Sequence, residues 1–253
     1  AINIDKTSGM PSNSVFDVFQ DSKGFMWFAT GKGLCRYDGN NFELYTADFQ
    51  TSKSGSSISE DQFGRIWYTN FDGFLYFVKD GKLQALPQEK ALGFYKYGIV
   101  KNELFVVQLN GIQVFDLKSL KIKNRISLQK QNIVASFSTK DRFYVLGDYL
   151  YELSDGKNYM KHQLPIHFKE EVKVPIFSFW QDRIFINSKL SKGTYAYKNG
   201  VFTKLNFEKA PSFIQNTSIV EGNLWNSTPN GLYQFDKNFS PLNLYFPNDN
   251  ISG

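Results

Sequence analysis

Cysteine, histidine and arginine are scarce in this sequence. One cysteine, Cys35, excludes an intrachain disulfide framework and a cysteine-rich zinc site; it reads as a small buried apolar residue. Two histidines, His162 and His167, are too few for a multi-histidine metal centre. They flank Pro165 in what reads as a surface connection, with Glu170 and Glu171 nearby but no convergent face. Five arginines (Arg36, Arg65, Arg125, Arg142, Arg183) leave lysine to supply most of the +5 net charge, and no consecutive basic block occurs. Nucleic-acid surfaces cluster their cations, so no nucleic-acid partner is expected. No run of about 18 apolar residues is present, so no helix of this chain is expected to enter a membrane. The start, Ala1-Ile2-Asn3-Ile4-Asp5-Lys6, lacks a signal pattern, which fits either a cytosolic chain or one whose signal has been removed. Gly31-Lys32-Gly33 lacks the spacing of a phosphate loop. Asp17 and Glu60 lie near inner strands and read as solvated lining. With no recurring histidine or carboxylate cluster, neither catalysis nor a metal or cofactor is expected.

Aromatics are abundant: 25 Phe, 14 Tyr and 4 Trp, or 17% of the chain. Such flat side chains suit the space between sheets. Six of them recur with regular spacing. Trp27, Trp67, Phe105, Tyr144, Phe185 and Trp225 are separated by 40, 38, 39, 41 and 40 residues. Around them the sequence repeats itself. Asp21-Ser22-Lys23-Gly24-Phe25-Met26-Trp27 parallels Asp61-Gln62-Phe63-Gly64-Arg65-Ile66-Trp67. Gly33-Leu34, Gly111-Ile112 and Gly231-Leu232 each begin six residues after an anchor aromatic.

Each unit reads as four short strands, in the first Ser14–Gln20, Phe25–Thr30, Leu34–Tyr37 and Phe42–Tyr45. Asp38-Gly39, Asp80-Gly81, Asp155-Gly156 and Asn199-Gly200 fall between the third and fourth strands, where tight type I′ hairpins are expected. Repeats of about 40 residues with four strands each indicate an all-β fold, a β-propeller of four-stranded antiparallel blades with the anchor aromatics between blades. The repeats run approximately 10–50, 51–88, 89–129, 130–168, 169–208 and 209–247. Residues 248–253 read as the start of a further repeat and 2–4 as a strand able to complete the last blade. The expectation is a fragment of a seven-bladed ring.

The first unit has a sharper pattern. Met10-Pro11-Ser12-Asn13-Ser14-Val15 is followed by Gln20 to Thr30 and by Gly33-Leu34-Cys35-Arg36-Tyr37-Asp38-Gly39-Asn40-Asn41-Phe42. It strongly resembles the two-component regulator propeller repeat. The resemblance is close in the first unit, good in the second and sixth, partial in the third and weak in the fourth and fifth. It implies the periplasmic sensor region of a membrane-bound hybrid histidine kinase of the Bacteroidetes type, responding to glycans or their breakdown products. The kinase would lie in the rest of the receptor chain.

In a propeller the second-to-third strand loops and the connections between units gather on one face. Lys32, Phe71, Asn110, Asp148, Lys192 and Asn230 occupy those loops, one per unit. They differ between units although the flanking strands repeat, so packing does not dictate them. Amides, an aromatic, an acid and two lysines together suit an oligosaccharide, by hydrogen-bonding hydroxyls, stacking a ring and holding an anionic group. They equally suit ordinary turns, and a second copy of the chain could use the same face. Three readings stay open at this point: a receptor input module, a protein-interaction scaffold and a propeller enzyme. The repeat pattern favours the first, and the missing catalytic cluster disfavours the last.

Overall fold

Short runs rich in Val, Ile, Phe and Tyr form strands because branched and aromatic side chains fit a pleated, half-buried surface. The computed structural model describes residues 6–87, 97–108, 111–128, 132–190, 193–205, 214, 216–228, 231–236 and 241–245. Among them are six four-stranded antiparallel sheets. The first holds β1 to β4 (Val15–Gln20, Met26–Thr30, Gly33–Tyr37, Phe42–Tyr45), and the second β5 to β8 (Gly55–Glu60, Ile66–Asn70, Leu75–Lys79, Lys82–Ala85). The third holds β9 to β12 (Tyr97–Val100, Glu103–Gln108, Gly111–Asp116, Ile122–Ser127), and the fourth β13 to β16 (Ala135–Ser138, Phe143–Leu146, Tyr149–Leu153, Met160–Gln163). The fifth holds β17 to β20 (Pro175–Trp180, Arg183–Ser188, Thr194–Lys198, Val201–Lys204), and the sixth β21 to β24 (Asn216–Val220, Asn223–Thr228, Gly231–Phe235, Pro241–Tyr245). Strand order follows chain order within every sheet, as in propeller blades. One helical turn, α1 (Phe168–Glu171), lies between the fourth and fifth blades. The expected closing strand at 2–4 and the start of a further repeat at 248–253 lie outside the described residues.

The chain divides into two compact units. One holds the first three blades, the other the last two, and the division runs through the fourth. In the first unit, Trp27 is buried in one cluster with Ile58, Ile66, Tyr68 and Tyr76 of the second blade. Trp67 is buried with Leu104, Val106 and Phe115 of the third, and Phe105 stacks on Phe143 at 5.1 Å. In the second unit, Phe185 packs with Leu224 and Phe235 of the sixth blade. Tyr144 is also buried. Trp27, Trp67, Phe105 and Phe185 therefore fill the space between neighbouring blades. A fully buried aromatic removes on the order of 150–250 Å² from water, worth roughly 4–6 kcal/mol before entropy is subtracted.

The structure gives the repeated Asp and Trp a shared purpose. Asp21 Oδ1 accepts the backbone N–H groups of Lys23 and Phe25, closing the turn, while Oδ2 accepts the Trp27 indole N–H at 2.8 Å. Asp61 repeats this with Phe63, Arg65 and Trp67, again at 2.8 Å to the indole. One carboxylate thus shapes the turn and fixes the anchor ring. In the sixth blade Ile219 stands six residues before the anchor. There Trp225 is only partly buried, stacks on Tyr245, and among the described residues finds no acceptor for its indole N–H.

Two of the four expected hairpins form as type I′ turns. Asp80-Gly81 has φ of +50° and +71° between the paired Lys79 and Lys82. Asn199-Gly200 has +49° and +86° between Lys198 and Val201. The other two are wider. Tyr37 pairs with Phe42, and Asp38 accepts the N–H groups of Asn41 and Asn40 inside the loop. Asp155 likewise takes those of Asn158 and Lys157, between Leu153 and Met160. An aspartate that caps its own turn stabilises a longer loop than the dipeptide suggests. These N–H groups, Asn41 foremost for Asp38 and Asn158 for Asp155, hold both carboxyls below the usual carboxylate value.

Candidate functional site

The strand ends place the loops where expected. β2 and β3 flank Lys32, β6 and β7 flank Phe71, and β14 and β15 flank Asp148. Asn110, Lys192 and Asn230 lie outside the described residues, although the strands on either side of each have the expected bounds.

In the first unit, hydrogen bonds join the Lys32 and Phe71 loops. Thr30, fully buried, donates its hydroxyl to Gly33 O at 2.8 Å and accepts Lys32 N–H, so the loop base is fixed while the Lys32 side chain is exposed. Gly31 N–H donates to Ser14 O, and Ser54 Oγ donates to Gly31 O at 3.2 Å. Phe71 N–H donates to Ser54 O at 2.9 Å. The Phe71 ring meets an aromatic that sequence reasoning missed. Phe16 stands edge-on to it, with centroids 4.8 Å apart. Phe16 and Phe71 are 45% and 36% exposed. A bulge in β1 between Val15 and Asp17 re-aims Phe16. The run Val15-Phe16-Asp17-Val18-Phe19 alternates like any strand, so nothing in it announces the bulge.

Asp17 and Glu60 are not solvated lining; they tie the first two blades together. Asp17 Oδ2 accepts Ile58 N–H at 2.7 Å, and Oδ1 accepts Val18 N–H at 2.9 Å. Burial pushes the Asp17 carboxyl above the usual carboxylate value, against the opposing pull of those N–H groups. Glu60 accepts both the backbone N–H and the hydroxyl of Ser22 at 2.7 Å. Cys35 is fully buried, and that burial pushes its thiol up to about 12.

In the second unit, Asp148 is engaged by the Lys169 ammonium from α1, a partner 21 residues away. Glu171 accepts from Lys204 at 2.6 Å and from Tyr195 at 2.5 Å, and Lys204 foremost holds its carboxyl below the usual value. His167 is exposed, 3.2 Å from Glu170. His162 corrects the reading of a surface loop: it lies on β16 with a largely enclosed ring, beside Glu152. Among the described residues no group of His, Cys, Asp or Glu could hold a metal ion.

The two-component regulator propeller family model matches residues 9–32. No curated protein sequence matches the chain. One solved structure, the extracellular domain assigned to a hybrid two component system of B. thetaiotaomicron, aligns with a TM-score of 0.70 and 17% identity, over 93% of this chain and 37% of that one. A second such domain from the same organism gives 0.68 and 18%, over 97% and 36%. The chain therefore spans about a third of the length of those domains. Virginiamycin B lyase from Staphylococcus aureus aligns with a TM-score of 0.73 at 10% identity, over 92% of this chain and 84% of that one. At such identities the likeness carries the fold alone, which is why a lyase and a sensor domain serve equally as frames. The sequence match falls on the segment from Gly9 through β1 and β2 to Lys32, which holds the Asp21–Trp27 latch, Phe16 and the base of the Lys32 loop; this half of the first blade is similar to a two-component regulator propeller repeat.

Proposed function

We propose that this segment is a periplasmic ligand-sensing input module of a membrane-bound hybrid sensor histidine kinase, and that its ligand is a glycan or a glycan breakdown product. The regulator repeat at residues 9–32 is the observation that carries the sensor reading. The ligand reading is supported by the Phe16–Phe71 pair with the exposed Lys32 on the adjoining loop. Aromatic faces stack on the apolar face of a pyranose, and an ammonium pairs with a carboxylate or sulfate. Binding occurs without turnover: Asp17, next to Phe16, is committed to a blade-to-blade hydrogen bond. The working partners are the rest of the receptor chain and, by the same face, a second copy.

The test is isothermal titration of the purified segment with a panel of neutral and acidic oligosaccharides. Phe16→Ala and Phe71→Ala are each expected to weaken the best binder by about tenfold, equivalent to about 1.4 kcal/mol. Lys32→Ala is expected to weaken acidic members only. Unchanged affinity in all three variants, with melting temperatures unaltered, would remove the ligand from this face.

A further inference from the structure

The second and fifth blades carry an arginine at the same place in the repeat. Arg65 stands two residues before the anchor Trp67, and Arg183 two residues before Phe185. Their surroundings differ. Asp61, four residues before Arg65, pairs with it, and both side chains are buried. Four residues before Arg183 stands Phe179, which is exposed. Arg183 therefore lacks that carboxylate. It is exposed and has no ion pair among the described residues.

The strand register fixes the side on which Arg183 lies. Phe185 pairs with Ala196, and both pack with Leu224 and Phe235 of the sixth blade. Residues two apart along a strand share a face, so Arg183 continues the Phe185 row on that side. Ala196 pairs with Thr203 and Lys198 with Val201, which puts these four on the same face. Arg183, Ala196, Lys198, Val201 and Thr203 help to line an open cavity of about 350 Å³. Positive charge is in excess there. Lys198 meets Asp182 at 3.0 Å, but that carboxylate is 79% exposed on the β17–β18 turn, so water screens the pair. Two cations thus share one loosely held acid.

We propose that this cavity on the fifth blade binds a small single-ring molecule bearing a carboxylate, of the class of acidic monosaccharides. Ligand pockets run from about 300 to 1,000 Å³, and this one lies at the small end, which suits one ring. The Arg183 guanidinium is a planar fork that matches a carboxylate with two parallel hydrogen bonds. Lys198 adds a point charge, and the Thr203 hydroxyl can bond a ring hydroxyl. Val201 and Ala196 supply an apolar wall for the C–H face of the ring. The site lies in the second unit, whereas Phe16, Phe71 and Lys32 lie in the first, and it needs none of them.

The experiment is isothermal titration with glucuronate and, as its neutral counterpart, glucose. The segment carries Lys32→Ala, so that the ammonium of the Phe16–Phe71 face is absent. Glucuronate is expected to bind at least about tenfold more tightly than glucose, the scale of one charge-assisted contact. Arg183→Met abolishes that preference and Lys198→Met reduces it. Asp182→Asn strengthens glucuronate binding by about two- to fivefold, because it releases Lys198. Lys79→Met, at the matching hairpin position of the second blade, changes nothing. Absence of glucuronate binding, equal affinity for the two sugars, or a preference that survives Arg183→Met overturns the proposal. Should Arg183→Met fail to fold, Lys198→Met and Asp182→Asn decide in its place, and affinities unmoved by both overturn it.

Discussion

Replacing Asp61 with alanine is expected to cost about 3–5 kcal/mol of unfolding free energy, because it strands a buried guanidinium. Asp61 Oδ2 pairs with Arg65 Nε at 2.6 Å, and both side chains are nearly inaccessible. The guanidinium also lies over the Trp67 ring at 5.3 Å and donates to Leu117 O in the third blade. Losing the carboxylate removes the turn, the indole acceptor and the only counter-charge shown for Arg65 among the described residues. In the first blade, Phe25 occupies the place of Arg65, with Arg36 over its ring at 4.6 Å. Asp21→Ala therefore loses hydrogen bonds without stranding a buried cation, and about 1–3 kcal/mol is expected. The double variant Asp61→Ala, Arg65→Phe should recover part of the loss. Urea unfolding of the four proteins decides: equal losses for Asp21→Ala and Asp61→Ala, with no recovery, would show that the buried charge is irrelevant.

Gly111→Ala is the second large effect. Gly111 opens β11 at φ +153°, and an added Cβ would lie 2.0 Å from the Ile126 carbonyl oxygen on β12. Neither backbone can yield without breaking the Gly111–Ser127 register. Strain on the order of 1–3 kcal/mol from the dihedral adds to an overpacking cost of about 1–3 kcal/mol. Gly33 holds the equivalent place at φ +130°, but its added Cβ would meet the Thr46 methyl at 2.7 Å and backbone only at 3.3 Å. Gly33→Ala is therefore expected to shift the thermal midpoint less than Gly111→Ala. Equal shifts would mean that the dihedral alone sets the cost.

These two sites explain why the blades were legible in the sequence. Asp21 and Asp61, and Gly33, Gly111 and Gly231, each answer a local backbone demand that recurs in several blades, so the residue type recurs there too. The anchor aromatics were legible for the same reason, since every blade must be covered by its neighbour. What stayed hidden depends on contacts between distant residues. Phe16 joins the candidate site through a bulge that its neighbours do not encode. The sequence offers Asp148 only as the acid of a candidate ligand-binding loop, and nothing near it announces that Lys169 reaches it from the following connection. His162 was read as part of a loop because its strand is short and polar, Met160 to Gln163, and its partner Tyr197 lies a blade away. The Asp38-Gly39 and Asp155-Gly156 turns misled because the dipeptide does not state how many residues the aspartate will cap.

The chain-order arrangement of strands within every sheet has a consequence for synthesis. At a translation rate of about 5–20 residues per second, a new repeat of about 40 residues leaves the ribosome every few seconds. All of its strand partners are then already present, and the Asp61–Trp67 latch closes over a span of six residues. The blade still lacks its neighbour. Trp67, Leu75 and Phe77 wait for Leu104, Val106 and Phe115 to emerge. A nascent chain built this way exposes one uncovered aromatic face at its growing end, which moves forward blade by blade, and buries the rest behind it.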